Sequence, residues 1–125
     1  MLTFAFAGCA DFFNSKQLAH EVELFNRDYK SHNIIVRVEN SSKETIYERE
    51  FHLKGGYGEE GTDPFRGTPT TVFVAVDDSS PTAYPWPDFD CEEERGVRSA
   101  GGAIVTLSSE ETIHLYPSCN TVYAE

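Results

Sequence analysis

Four apolar side chains near the N-terminus are spaced as on one face of an α-helix, and this pattern constrains the fold more than any other. Leu18, Val22, Phe25 and Tyr29 follow one another at steps of four, three and four residues. At 100° per residue, these steps place all four within one narrow stripe. The pattern predicts a helix of about fifteen residues whose apolar face packs on a core.

Alternating apolar residues further along the chain indicate β-strands. Ile34, Val36 and Val38 alternate with more polar side chains, which is the pattern of a strand with one buried face. After the turn at Asn40–Lys43, residues Thr45–Leu53 continue the alternation as a return strand. The two segments therefore predict a β-hairpin.

Further apolar runs complete the predicted sheet. They are Leu2–Ala7 as a buried strand, Thr71–Val76 as a central strand, Ala103–Leu107 with Thr112–Tyr116 as a second hairpin, and Thr121–Tyr123 as an edge strand. Two long loops, Gly55–Pro69 and Asp77–Gly102, separate them. The sequence predicts a single α+β domain over residues 1–125, in which one amphipathic helix packs on a mostly antiparallel sheet of about five to six strands.

Acidic residues are concentrated in the middle of the chain. The formal net charge is −11, and residues 57–94 carry −9 of it, because ten acids there face a single base, Arg66. Direct binding to nucleic acid is disfavoured, since phosphate contacts need clustered Lys and Arg and the ten bases of this chain are scattered among acids. A basic protein surface is the expected partner.

The same stretch places large aromatic side chains among its acids. Between Tyr84 and Glu94, prolines stiffen the backbone and rings alternate with carboxylates, which suits cation–π and ion-pair contacts with Arg or Lys of a partner. The alternative is that Trp86 and Phe89 fold back as a lid on the core. The predicted partner-binding residues are Tyr57, Glu59, Glu60, Asp63, Tyr84, Trp86, Asp88, Phe89, Asp90, Glu92, Glu93 and Glu94.

Two motifs suggest a cofactor or a metal, and each has a plainer explanation. Residues 56–61 match G-x-G-x-x-G, but turn residues follow them instead of a helix, and two carboxylates within the motif would repel phosphate. Asp88, Asp90 and Glu92 alternate as Ca²⁺ ligands do, yet the run lacks the glycine and the final acid of an EF-hand loop. We therefore expect no cofactor and no metal.

The histidines and cysteines indicate no catalytic site. No pair of histidines has H-x-x-x-H spacing, and His20 would lie on the exposed face of the predicted helix. Cys119 stands near His114, but a buried or idle thiol is the favoured interpretation. The odd total of three cysteines argues against structural disulfides and favours a reducing, cytoplasmic location. No apolar run approaches the roughly 20 residues that span a bilayer.

Charge and aromatic content favour one class of function over two others. The leading hypothesis is a small, acidic, non-enzymatic binding or inhibitor protein whose central loops cover a basic surface of another protein. An immunity protein that blocks a basic toxin fits, as does a phage inhibitor that occupies a nucleic-acid-binding groove of the host. The alternatives are a carboxylate-dependent hydrolase or transferase, and a structural subunit of a larger assembly.

Overall fold

Ten β-strands and the turns between them form the regular structure of the described residues. The computed structural model describes residues 17–59, 63–87, 101–110, 112–119 and 123–124. The strands are β1 (Gln17–Leu18), β2 (Glu21–Asn26), β3 (His32–Asn40), β4 (Thr45–Leu53), β5 (Gly58–Glu59), β6 (Pro69–Val76), β7 (Thr82–Pro85), β8 (Gly102–Leu107), β9 (Ile113–Ser118) and β10 (Tyr123–Ala124). Within these ranges there is no helix, and hence none that could cross a membrane.

Eight of these strands form two four-stranded sheets, and β1 pairs with β10 in a separate antiparallel ladder. Sheet I has the order β5-β2-β8-β9, with β2 and β8 parallel from Glu21↔Gly102 to Asn26↔Leu107. Sheet II has the order β4-β3-β6-β7 and is antiparallel throughout. Parallel neighbours need a long connection, and all of sheet II lies in the connection between β2 and β8.

The hydrophobic core lies between the two sheets, where the inward side chains of both meet in one cluster. Because successive side chains of a strand point to opposite faces, the buried residues occupy alternate positions of the central strands. Those with no exposed surface are Val22, Leu24, Ile34, Val36, Val38, Val72, Ala103, Val105 and Leu107. At one edge, the rings of Tyr47 and Phe65 stack with centroids 4.8 Å apart. Each such large side chain stabilises the fold by about 1.5–3 kcal/mol relative to its exposed state.

The predicted helix is wrong, because its residues form β2 in the interior of sheet I. Val22 and Leu24 point into the core, whereas Phe25 lies on the opposite face and Tyr29 is 82% exposed. Glu21–Leu24 alternates polar and apolar side chains as a strand does, but the run is only four residues long and ends at Phe25, so the helical spacing of the apolar residues outweighed it. The α+β assignment fails with the helix, since every regular element of the described residues is a strand.

The hairpins predicted from alternation are confirmed. β3 pairs with β4 and β8 with β9, each antiparallel, and β6 is an interior strand between β3 and β7. The prediction of one sheet is wrong, because the two hairpins belong to different sheets. Leu2–Ala7 lies outside the described residues. Of the edge strand expected at Thr121–Tyr123, only Tyr123 is among the described residues, and it lies in β10.

Both predicted loops contain strands too short for an alternation pattern to reveal. The first includes β5, and its Phe65 forms an isolated antiparallel bridge with His20. The second includes β7, which adds a fourth strand to sheet II. Residues 88–100 of the second loop lie outside the described residues.

Candidate partner-binding surface

The outer face of sheet II presents an apolar centre beside acidic side chains. In the register of the sheet, Ile35 lies opposite Glu50, and Arg37 lies between Glu48 and Phe73. Their side chains alternate with core residues along each strand, so they point away from the core. We call this set the acidic sheet face; it consists of Ile35, Arg37, Glu39, Glu48, Glu50 and Phe73.

Contacts within the acidic sheet face hold its side chains against the sheet. The Arg37 guanidinium lies over the Phe73 ring, 4.3 Å from the centroid, and its Nη2 atom is 3.4 Å from Glu39 Oε2. Ile35 is 36% exposed although β3 is an interior strand. Three carboxylates share this face with one guanidinium, and its net charge is therefore negative.

Such a surface has the chemistry of a protein interface for a basic partner. Interfaces place apolar side chains at the centre and polar ones at the rim. Here Ile35 and Phe73 supply the apolar centre, and Glu48 and Glu50 of the edge strand β4 supply the charge. The Glu50 side chain is 51% exposed, so its carboxylate is accessible to a Lys or Arg of the partner.

Tyr57 is the most accessible of the predicted partner-binding aromatics among the described residues. It is 63% exposed in the tight turn between β4 and β5. The turn is fixed by backbone hydrogen bonds, because the Gly56 N–H donates to the carbonyl of Asn26 at 2.8 Å and the Asn26 N–H donates to the carbonyl of Tyr57 at 2.8 Å. A ring held on a rigid turn loses little entropy on binding, which suits a contact role.

Glu59 and Asp63 lie together, but they share an internal partner. Arg49 of β4 reaches Glu59 Oε2 at 3.2 Å and Asp63 Oδ2 at 3.6 Å. Its guanidinium also lies over the Phe51 ring, 4.7 Å from the centroid. Arg49 thus links β4 of sheet II to β5 of sheet I, and its charge offsets part of the negative field of these two acids.

Tyr84 and Trp86 are half-buried and pack against the core, as the lid alternative predicted for Trp86. The backbone N–H of Trp86 donates to the carbonyl of Thr70 at 2.9 Å. Its ring meets Phe65 and His20 edge-on, with centroid distances of 6.1 and 5.8 Å. The other predicted contact residues lie outside the described residues; they are Glu60, Asp88, Phe89, Asp90, Glu92, Glu93 and Glu94.

A buried polar cluster that spacing rules did not reveal closes one end of the sandwich. His32 is 4% exposed and Asp28 is 2% exposed. His32 Nε2 lies 2.7 Å from Asp28 Oδ2, and His32 Nδ1 contacts Asp77 Oδ2. Asp77 Oδ1 also accepts the Asn33 N–H at 2.8 Å. The sequence shows the i, i+4 spacing of Asp28 and His32, but it does not show that Asp77 lies beside them. Asp77 follows β6, and only the pairing of β6 with β3 brings it next to His32.

The two carboxylates stabilise the protonated form of His32. Burial alone would lower the pKa of His32, but hydrogen bonds to Asp28 and Asp77 outweigh it and raise that pKa above its ordinary value of 6.5. The hydrogen bond from His32 lowers the pKa of Asp28, and the bond from the Asn33 N–H lowers the pKa of Asp77. His32 therefore keeps its proton to higher pH than a free imidazole. Its burial beside Asp28 indicates a structural role for the cluster.

Two predictions about polar side chains are wrong. His20 is half-buried instead of exposed, with Nδ1 3.2 Å from the carbonyl oxygen of Gly101 and Nε2 3.1 Å from that of Gly67. Cys119 is disulfide-bonded instead of being an idle thiol, and its partner lies outside the described residues. In the described part of the chain, no three His, Cys, Asp or Glu side chains are grouped as metal ligands would be.

Comparison of the chain with protein-family models, with curated proteins and with solved structures finds no match in any of the three. A function must therefore be argued from the surfaces of the molecule itself.

Proposed function

We propose that this chain is a small non-catalytic binding protein that covers a basic surface of another protein, as an immunity protein or a phage inhibitor of a host protein would. The observation that carries the proposal is the acidic sheet face. Ile35 of its interior strand is 36% exposed, and the same face carries three carboxylates and one guanidinium, with His52 Nε2 3.8 Å from Glu50 Oε2. Such a face complements a partner that presents Lys or Arg around an apolar centre.

The acidic stretch 57–94 extends the same proposal beyond sheet II. Tyr57 provides an exposed ring on a fixed turn. The acids at positions 88–94 add to the negative charge that this chain presents to a basic partner. Their contribution is to long-range attraction, which accelerates encounter and weakens as salt is added. The apolar centre of the acidic sheet face supplies affinity that salt does not screen.

The experiment is a pulldown from lysate of the source cell at low and high salt with four forms of the chain. The first is the native chain. The second carries Glu48→Gln and Glu50→Gln on the acidic sheet face, and the third carries Glu92→Gln, Glu93→Gln and Glu94→Gln. The fourth carries Glu44→Gln and Glu110→Gln, which remove two exposed charges outside the acidic sheet face and the stretch 57–94 and match the second in net charge. Trp86 is left intact because it packs on the core.

We expect a basic protein to bind the native chain and the matched control equally, and to be lost from the sheet-face variant. Weaker capture by the position 92–94 variant, most evident at low salt, would assign those acids to steering. Equal capture by the sheet-face variant and its matched control would overturn the proposed interface.

The enzyme alternative makes a different prediction for the same acids. A catalytic carboxylate gives one position at which a single Glu→Gln change abolishes turnover while binding persists. A binding face gives graded losses over several positions. Single substitutions at Glu39, Glu48 and Glu50 that each weaken capture by a few-fold support the binding proposal.

The compartment is a further part of this proposal. The cysteine count led us to expect the cytoplasm, where thiols are kept reduced. The disulfide bond of Cys119 favours an oxidising compartment instead. The cysteine count and the Cys119 bond thus favour different compartments, and alkylation of free thiols in freshly lysed cells distinguishes them, because only an oxidising compartment maintains the disulfide.

A further inference from the structure

A cleft on the outer face of sheet I combines aromatic rings with an unpaired guanidinium. It encloses about 490 Å³ and is lined by Phe25, Arg27, Ile104, Thr106, Ser108, His114 and Tyr116. Three strands contribute, because Phe25 of β2 pairs with Thr106 of β8 and Thr106 pairs with His114 of β9. This face points away from the acidic sheet face, which lies on the other sheet.

The walls of the cleft are suited to a flat ring. The rings of His114 and Tyr116 lie nearly parallel, with an interplanar angle of 22° and centroids 6.4 Å apart. Phe25 lies across Gly58, where a Cβ atom would come within 2.2 Å of its ring. Tyr116 is 50% exposed, so its apolar surface is open to a ligand. A cleft of this size accommodates a small organic molecule.

One end of the cleft carries positive charge in a chain whose net charge is −11. Arg27 follows the last residue of β2, and its N–H donates to the carbonyl of Leu107 at 2.8 Å, which fixes its backbone beside the end of β8. Among the described residues, no carboxylate lies within ion-pair distance of the exposed Arg27 side chain. A guanidinium binds a carboxylate through two parallel hydrogen bonds, and this is its preferred partner when no protein acid competes.

We propose that this cleft binds a small organic anion that consists of a flat ring and one carboxylate. The ring packs against Phe25, His114 and Tyr116, and the carboxylate pairs with Arg27. Thr106 and Ser108 also line the cleft, and the Ser108 hydroxyl, which accepts the N–H groups of Glu110 and Thr112, keeps its own hydrogen to donate to such a ligand. Ligand binding here is independent of the proposed partner surface, because no residue is shared between the two.

The test is a titration of the whole chain, followed by ¹⁵N–¹H NMR, with indole-3-acetate and with its neutral amide. The two probes differ in charge and share the ring. We expect the carboxylate to bind about tenfold more tightly than the amide, as one charge-assisted bidentate contact predicts. The largest shifts should fall on the backbone amides of residues 104–108 and 114–116.

Two variants and a control decide the assignment. Arg27→Gln should abolish the preference for the carboxylate while leaving binding of the amide unchanged. Tyr116→Leu should weaken both probes several-fold. Lys43→Gln removes one positive charge in the β3–β4 turn, at the far end of the molecule, and should behave as the native chain. Equal affinity for the two probes, shifts that map elsewhere, or no binding in the millimolar range would each overturn the proposal.

Discussion

Single polar residues buried at the β2–β3 connection hold one end of the sandwich together. Asn26 is 1% exposed, and its amide donates to the carbonyl of Lys30 at 2.8 Å and to that of Leu53 at 3.1 Å. Its Oδ1 atom accepts the Asp28 N–H at 3.1 Å. One side chain thereby satisfies backbone groups from two different turns, which is how buried carbonyls avoid the cost of lost solvation.

Asn26→Ala should destabilise the fold by about 2–4 kcal/mol, because it removes the partner of the buried Leu53 carbonyl, of two part-buried carbonyls and of the Asp28 N–H, and opens a small cavity. Asn26→Asp should cost more, since a carboxylate would face carbonyl oxygens where the native amide donates. Urea unfolding followed by fluorescence measures both. If the two variants unfolded with the native midpoint, the side chain would not be the organising contact of this end.

The pH dependence of stability should follow from the Asp28–His32–Asp77 cluster. The pKa of His32 is raised, so its contribution is complete below the unfolded value of 6.5 and is lost as pH rises through the folded value. The pKa values of Asp28 and Asp77 are lowered, so their contributions hold above the unfolded value of 3.8 and are lost as pH falls through the folded values. Stability should therefore be greatest between these limits and decline on both sides.

Asp77→Asn tests this assignment with little change of shape. The backbone of Asp77 is left-handed, at φ 48°, which Asn tolerates, and its amide oxygen can still accept the Asn33 N–H. Since the Asp77 side chain is 47% exposed, we expect a modest loss at pH 6, about half a molar in the urea midpoint, and a shallower decline toward pH 9. Asp78→Asn, at φ 65°, is the matched control. Parallel pH profiles for Asp77→Asn and the native chain would exclude the cluster as the cause.

At the scale of elements, close backbone approach joins the two sheets through their turns. A Cβ atom at Gly55 would lie 2.3 Å from the carbonyl oxygen of Tyr29, so only glycine lets the β4–β5 turn meet the β2–β3 connection. At Gly56, by contrast, nothing lies within 4 Å of the site of a Cβ atom, and the constraint is the positive φ of 79°. Neighbouring glycines therefore serve different needs.

Gly55→Ala should be far more damaging than Gly56→Ala. The first must push two backbones apart and also disturb the bonds made by Asn26 and Asp28, whereas the second carries only the left-handed strain of about 1 kcal/mol. We expect Gly56→Ala to lower the melting temperature by several degrees and Gly55→Ala to lower it by two or more times that amount. Thermal unfolding followed by circular dichroism measures the difference, and similar values for the two would contradict the packing argument.

Local alternation was sufficient to predict the hairpins, and it was insufficient for β2. Ile34, Val36 and Val38 alternate cleanly because only one face of β3 is buried. In β2 the alternation covers only Glu21–Leu24, because Phe25 is apolar on the face opposite Val22 and Leu24, and so short a run does not outweigh the helical spacing of the apolar residues. The parallel partner that buries this strand lies about eighty residues away, beyond the reach of any local pattern.

At the scale of the whole molecule, the net charge of residues 57–94 does not by itself locate the acidic sheet face. The net charge of residues 57–94 was visible in composition, but Arg49 pairs with Glu59 and Asp63, and Trp86 packs on the core. The acidic sheet face could not be predicted, because Phe73 joins Ile35 only through the pairing of β3 with β6. Strand adjacency was readable from the sequence only within a hairpin, and the pairing of β3 with β6 lies outside any hairpin.

The disulfide bond of Cys119 predicts the number of free thiols in the native chain. Three cysteines with one intrachain disulfide leave one thiol to alkylate without reductant and three after reduction. Reduction should also destabilise the fold by about 2–4 kcal/mol. Mass spectrometry after iodoacetamide treatment counts the thiols. Three reactive thiols in the unreduced, folded protein would contradict the bond.

The parallel pairing of β2 with β8 sets the order in which this molecule can be completed during synthesis. Sheet II is assembled from β3, β4, β6 and β7, which all lie between residues 32 and 85, so its ladders can close while the chain is still being made. β2 is made earlier, but it stays without its main neighbour until residue 107 has left the ribosome. Until then an apolar strand is exposed to other chains, and a ribosome that stalls before β8 releases a product prone to aggregate.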